Sequence, residues 1–276
     1  MKDDYNEEEA LFKQLKVPFK EDKEAVWERL SEQTTKASTM AKVRTLPWGK
    51  MVAAAVLLLV CTATFCTFYT RTIDCAEGQH VAHLLPDGSE VTLNAASSLS
   101  YAPYAWSFQR AVHLEGEAFF EVEKGSRFTV FSALGQTSVL GTSFNIFARE
   151  SAYRVFCATG KVQVNASNES VILTPNELAI LKEKAILKKQ SNVASKAVVG
   201  WLNNKFNFNK VVATAVFKEI ERQYNVRIDA SQVPNVPYSG GFEKSNDIEI
   251  TLEVICTGLN LQFENVNNRQ YRILSK

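Results

Sequence analysis

The spacing of apolar positions changes along this 276-residue chain, and each change marks a region. Residues 5–32 (YNEEEALFKQLKVPFKEDKEAVWERLSE) carry apolar side chains at helical spacing in two groups, Leu11, Phe12 and Leu15, then Val26, Trp27 and Leu30. Pro18 separates them, because proline breaks the helical hydrogen-bond ladder. Glu7 to Glu9 stand where carboxylates complement a helix dipole, and Asp22 can cap the second helix. Each stripe is too small to make a core alone. The six residues therefore form either a miniature hairpin packed on itself or an amphipathic surface that a partner completes. Residues 33–47, rich in Ser, Thr, Lys and Ala, read as a tether.

From Met51 to Thr70 no side chain is charged. A helix rises 1.5 Å per residue, so this stretch would reach roughly 30 Å, the thickness of a bilayer's hydrocarbon core. Its strongly apolar members, including Leu57, Leu58, Leu59 and Phe65, favour insertion by about 2–5 kcal/mol before the threonines subtract some of it. A polar segment of about fifty residues precedes it, which argues for a retained anchor over a cleaved signal peptide. Lys36, Lys42, Arg44 and Lys50 crowd the N-terminal flank, whereas Arg71 is followed by Asp74 and Glu77. The positive-inside rule then predicts a cytoplasmic N-terminus and an exported C-terminal part, with Trp48 and Tyr69 at the two interfaces.

Beyond about His80 the period becomes two. In VHLEGEAFFEV (112–122), Val112, Leu114, Ala118, Phe120 and Val122 point one way while His113, Glu115, Glu117 and Glu121 point the other, as in a half-solvated strand. Further strands are expected at 128–132, 137–148, 153–159, 161–164, 170–174 and 177–182, with turns at Pro86-Asp87-Gly88, Thr159-Gly160 and Thr174-Pro175-Asn176. Such a series predicts a sandwich, barrel or stacked sheet. After a polar stretch from Lys188 to Lys196 the pattern shifts again. Residues 206–229 read as strand, helix and strand, the helix carrying Val212, Val216, Ile220 and Tyr224; PYSGGFE, IEITLEVICTGLN, LQFE and QYRIL repeat the order. Two βαβ-like units make a small α+β layer. The fold class expected is mainly β, with four regions: 1–49 helical segment and tether, 50–70 transmembrane helix, 71–190 all-β domain, 197–276 α+β domain.

Lysine plus arginine number 31 against 30 acidic residues, so no basic excess points to direct nucleic-acid binding. Cys61 and Cys66 lie in the span; Cys75, Cys157 and Cys256 are scattered, and their spacing fits buried thiols better than a disulfide framework or zinc site, while leaving one unassigned pair open in an oxidising compartment. Glu115, Glu117 and Glu121 could in principle pair as catalytic carboxylates, but glutamates alternating on a solvated strand are far commoner. His80 and His83 would oppose each other on a strand, and Asn165 and Asn168 head short glycosylation-type matches. No phosphate loop, nucleophile elbow or Cys/His cluster is present, so neither an enzyme nor a cofactor is expected.

LPDGSEVTLNAASSLSY (85–101), VHLEGEAFFEVEK (112–124), VLGTSFNIFA (139–148), TGKVQV (159–164) and Pro175-Asn176-Glu177, in that order, resemble the periplasmic domain of the FecR family of membrane anti-sigma regulators. The residues that carry the match, Asp87, Gly88, Gly116, Glu117, Phe120, Gly141, Thr142, Phe144 and Gly160, read as structural; Gly116 and Gly141 are expected within strands. Residues 197–276 are similar to the C-terminal domain of Bacteroidetes-type members, itself related to small signalling domains of secretins and TonB-dependent transporters. LKVPFKEDKEAVWERL resembles a short form of the family's cytoplasmic part.

The resemblance implies a single-pass protein of the bacterial inner membrane. It would relay a signal from the signalling domain of an outer-membrane TonB-dependent transporter, contacted somewhere within 197–276, to a cytoplasmic extracytoplasmic-function (ECF) sigma factor controlling nutrient-uptake genes. Leu11, Phe12, Leu15, Val26, Trp27 and Leu30 would touch the sigma factor, and site-specific proteases would be further partners. A reading of another class is a membrane-anchored module that binds envelope glycan or assembles with neighbours without signalling.

Overall fold

The computed structural model describes residues 22–36, 48–182 and 186–276. In the N-terminal part, α1 (Lys23–Lys36) begins where the Asp22 carbonyl accepts the Val26 N–H. Leu11, Phe12, Leu15 and Pro18 lie outside the described residues. Helix α2 (Trp48–Phe68) buries none of its side chains and is apolar enough to cross a membrane, consistent with a single-pass membrane protein. Its threonines return their hydroxyls to the helix, Thr64 to the Val60 carbonyl and Thr67 to that of Ala63, so they add little unpaired polarity.

The period-two region forms one 13-stranded sheet folded on itself. Its strands are β1 (Arg71–Cys75), β2 (Val81–Leu84), β3 (Glu90–Leu93), β4 (Ser97–Tyr101), β5 (Arg110–Glu121), β6 (Phe128–Ser132) and β7 (Gly135–Val139). They continue through β8 (Ser143–Arg149), β9 (Ala152–Cys157), β10 (Val162–Ala166), β11 (Glu169–Leu173), β12 (Glu177–Lys182) and β13 (Ile186–Gln190). One half runs β1-β4-β5-β6-β7-β10-β11 and the other β2-β3-β5-β8-β9-β12-β13, and β5 belongs to both.

Strand β5 serves two halves because it bends at Gly116. There φ is +103°, and a Cβ would lie 2.5 Å from Ser97 Oγ and 2.8 Å from Ser97 Cα. Only glycine accepts both the dihedral and the approach. The β3–β4 connection turns the same corner, with Asn94 N–H donating to the Glu117 carbonyl. The apolar faces of both halves then meet in one core. Phe120 stacks on Phe144 with centroids 5.0 Å apart and meets Phe128 of the other half edge-on at 6.1 Å.

Three expectations need correction. Residues 137–148 do not form one strand: Leu140, Gly141 and Thr142 separate β7 from β8, so Gly141 sits in a turn, where a Cβ would lie 2.8 Å from Lys124 Cα. The stretch from Lys188 is not wholly a linker, because Ile186–Gln190 pairs with β12 as an edge strand, a position that tolerates lysine. Val212 is not helical; it ends a strand and leads into the helix.

The C-terminal α+β part contains α3 (Ser195–Val198), a 3-10 turn (Gly200–Asn203), β14 (Lys205–Val212), α4 (Ala213–Tyr224) and β15 (Arg227–Asp229). After these come β16 (Pro237–Glu243), α5 (Ile248–Leu259), β17 (Leu261–Asn267) and β18 (Gln270–Ser275). The two βαβ-like units interleave: β14 pairs with β16, while β15 runs parallel to β18, which forms a hairpin with β17. Helix α5 forms despite its β-branched residues because the Asp247 carboxylate caps the Glu249 N–H and Leu252, Ile255 and Cys256 are buried against the sheets. Cys75, Cys157 and Cys256 are free and buried, and burial pushes the Cys157 and Cys256 thiols up to about 11.

Candidate functional site: a buried polar seam and an exposed helical face

Glu117 lies on the face of β5 that its alternation assigns to solvent, yet it is 7% exposed. The C-terminal α+β part covers that face, so the row Glu115, Glu117, Glu121 is not uniformly solvated; only its outer two members are exposed. The Glu117 carboxylate accepts from Asn94 Nδ2 at 2.8 Å and Asn145 Nδ2 at 2.9 Å. Each asparagine hands the network on. Trp201 Nε1 donates to Asn145 Oδ1 at 3.2 Å, and Gln223 Nε2 donates to Asn94 Oδ1 at 2.8 Å and to Glu219 Oε1 at 2.8 Å. Gln223 Oε1 meets His80 Nε2 at 3.2 Å, and Arg222 pairs with Glu219 at 2.6 Å.

These bonds join the β3–β4 connection, β5 and β8 to the 3-10 turn and α4, so the seam is the polar join between the two folded parts. A buried polar network of this kind fixes one docking geometry, since any misplaced member leaves a desolvated group without its partner. Arg149 extends it to the corner, donating to the Ala95 and Ala96 carbonyls at 2.6 and 2.7 Å. A cleft of about 200 Å³ opens beside it, lined by Arg154, Phe147, Trp201, Phe206 and Glu219 among others.

Burial, then the charge of Glu219, raises the pKa of Glu117 above the ordinary carboxylate range, against the Asn145 hydrogen bond and the charges of Arg154 and Arg149. Burial likewise lowers the pKa of His80. A carboxyl with a raised folded-state pKa stabilises less as pH climbs from its unfolded value through its folded one. Glu219→Gln removes one of the two raising influences. The loss of stability that Glu117 contributes as pH rises above the ordinary glutamate range is therefore expected to shrink in that variant, read as the difference in denaturation midpoint between parent and variant across pH; a difference that does not change with pH would show that Glu219 does not act on Glu117.

The other predicted residues fall in three places. Asp87, Gly88, Gly141, Thr142 and Gly160 gather at the end of the sheet where β2, β5 and β7 finish, and Thr142 Oγ1 donates to the Lys161 carbonyl at 3.1 Å. Phe120 and Phe144 are core, and Gly116 is the corner. On α1, Val26 is half-buried while Trp27 is 74% and Leu30 47% exposed. His80 and His83 do not converge, because His83 Nε2 meets Tyr101 Oη at 3.0 Å instead. Pattern reading missed Asn94, Asn145, Trp201 and Gln223. The available signal was Asn145 between Phe144 and Ile146, an amide inside an apolar strand that must find buried partners.

The family described as FecR protein matches residues 71–163, and the one described as FecR, C-terminal matches 205–273. Two crystal structures of a proposed anti-sigma factor from Parabacteroides distasonis ATCC 8503 are similar. One has a TM-score of 0.69 at 28% identity, covering 75% of this chain and 100% of that one; the other has 0.68 at 29%, covering 75% and 99%. No curated protein matches. The matched segments cover the sheet from β1 into β10 and the α+β part from β14 into β18, and the neighbours support a role as an anti-sigma or signalling regulator; the chain belongs to the FecR family.

Proposed function

We propose that this chain is a single-pass anti-sigma regulator of the bacterial inner membrane. Its N-terminal segment holds an ECF sigma factor in the cytoplasm. Its two C-terminal domains stand in the periplasm and receive the state of a TonB-dependent transporter through that protein's signalling domain, contacted within 197–276. The signal passes by differential binding of the partner to two states, or by licensing site-specific proteolysis of the anchor; the chain itself catalyses nothing and needs no cofactor. Nutrient-uptake genes are the output.

The observation that carries this reading is the placement of an exposed apolar face on α1, with Trp27 74% exposed, N-terminal to a membrane-length helix that leads into FecR domains. The basic flank of Lys36, Lys42, Arg44 and Lys50 supports the orientation. Aromatic and aliphatic anchors dominate interfaces of this kind. Replacing Trp27 and Leu30 together by alanine in the detergent-solubilised full chain is expected to lower capture of a co-expressed ECF sigma factor by about tenfold or more. A parent chain that captures no sigma factor, or a variant that captures it equally well, would sink the proposal.

A further inference from the structure

Strand directions bring a specific set of loops to the point where α2 ends. Strand β1 starts at Arg71 opposite Tyr101 of β4, β4 sets Tyr101 opposite Val112 of β5, β5 sets Arg110 beside Phe128 of β6, and β6 sets Phe128 opposite Val139 of β7. The loop 102–109 and the turn around Leu140 therefore lie at the same end of the sheet as Arg71. The loop reads APYAWSFQ. Trp106 turns inward, 6% exposed, with its ring T-shaped against Tyr101 at 5.5 Å and Phe128 at 5.9 Å. Tyr104 and Phe108, on either side of it, turn outward.

Phe108 is 93% exposed, more than any other large apolar side chain among the described residues, and Tyr104 is 59% exposed. Leaving a phenylalanine in water forgoes the favourable transfer of its apolar surface. The Tyr104 ring lies 5.5 Å from that of Tyr69, which continues the helix by donating its N–H to the Phe65 carbonyl. Leu140, 64% exposed, stands at the same end.

Chain length decides what covers these side chains. Only Tyr69 and Thr70 separate α2 from β1, and consecutive Cα atoms are about 3.8 Å apart, so Arg71 is held within about 11 Å of Phe68. The headgroup zone on each face of a bilayer is itself about 5–8 Å deep. A sheet tied this closely to a span keeps this end beside the headgroup zone, within reach of the rings that project from it. Tyrosine and other aromatics are favoured at that depth, where an apolar ring meets wet headgroups.

We infer that the loop 102–109 is a membrane footing: Tyr104 and Phe108 enter the lipid interface beside the span, and Trp106 anchors the loop to the core above it. Arg71 and Arg127 flank the footing, but Glu121 and Glu123 are also exposed near this end and Asp87 is taken up by Arg110. The contact is thus aromatic in character, and a neutral phosphatidylcholine surface suffices.

The inference rests on α2 spanning the bilayer, and the test separates the two. The full chain is reconstituted in phosphatidylcholine vesicles with a nitroxide at Phe108→Cys, at Leu57→Cys within the span, or at Ser151→Cys on the turn at the opposite end of the sheet; the unsubstituted chain supplies the background. The Phe108 label is expected to be relaxed more by dissolved oxygen than by a water-soluble nickel chelate, as at Leu57, with the order reversed at Ser151. Chelate access at Phe108 equal to that at Ser151, with Leu57 still shielded, overturns the footing alone. Chelate access at Leu57 as well overturns the span and the footing with it.

Discussion

Phe120→Ala is expected to lower the stability of the folded sheet by about 3–5 kcal/mol, the range for truncating a buried phenylalanine. The side chain is fully buried, and it is placed where loss is hardest to repair. On one side it stacks against Phe144 of the neighbouring strand, on the other it meets Phe128 from the opposite half of the sheet, and β5 carries it between the two. Removing the ring takes contacts from both layers at once. Collapse to fill the space would need β5 to shift, and β5 is held by four neighbours, β3, β4, β6 and β8. The expected reading is a drop in thermal midpoint of about 10 °C for the full chain in detergent. Phe120→Leu retains most of the volume and should recover more than half of it. A drop below about 1 kcal/mol for Phe120→Ala would show that the two layers are not packed as described.

The same strand shows what pattern reading can and cannot reach. Alternation from Val112 to Val122 identifies both the strand and its inner face, because a period of two is a property of the strand itself. Whether the other face meets water depends on whether a second layer exists, and nothing local to Glu117 reports that α4 and Trp201 cover it. The break at Gly141 was hidden for a related reason: Val139, Leu140, Phe144 and Ile146 keep the apolar rhythm through the turn, so only the three-dimensional reversal of the chain reveals two strands. Ile186–Gln190 was concealed by its lysines, which are compatible with an edge position. Helix α5 went the other way. Ile248, Ile250, Thr251, Val254 and Ile255 argue locally for a strand, but the Asp247 cap and the buried Leu252, Ile255 and Cys256 outweigh that preference of a few tenths of a kcal/mol per residue. The polar seam was the least legible part, since its members come from positions 80, 94, 117, 145, 201, 219 and 223 and only folding brings them together.

Asp87→Ala is expected to cost about 2–4 kcal/mol at neutral pH, because Arg110 would then be left desolvated without its counter-charge. The pair is largely enclosed, with side-chain exposures of 9% for Arg110 and 13% for Asp87. Arg110 Nε donates to Asp87 at 2.7 Å, while its other nitrogens reach the Ser126 and Glu123 carbonyls at 2.6 and 3.0 Å. Asp87 in turn receives the Ser89 N–H and hydroxyl at 3.0 and 2.9 Å, and Ser89 Oγ accepts the Glu123 N–H. The clip therefore fastens the β2–β3 turn to the loop after β5, closing the end of the sheet nearest α2. Burial by itself would raise the Asp87 pKa, but the hydrogen bonds from Arg110 and Ser89 outweigh it and hold the carboxyl below its usual range. A depressed folded-state pKa contributes stability that is fully present above the unfolded value, about 3.9 for aspartate, and is lost as pH falls through the folded value. The gap in denaturation midpoint between parent and Asp87→Ala should accordingly be constant near neutrality and narrow on acidification below about pH 4. A gap that persists undiminished in acid would assign the effect to lost packing, and no gap at neutral pH would mean that the Ser126 and Glu123 carbonyls alone satisfy Arg110.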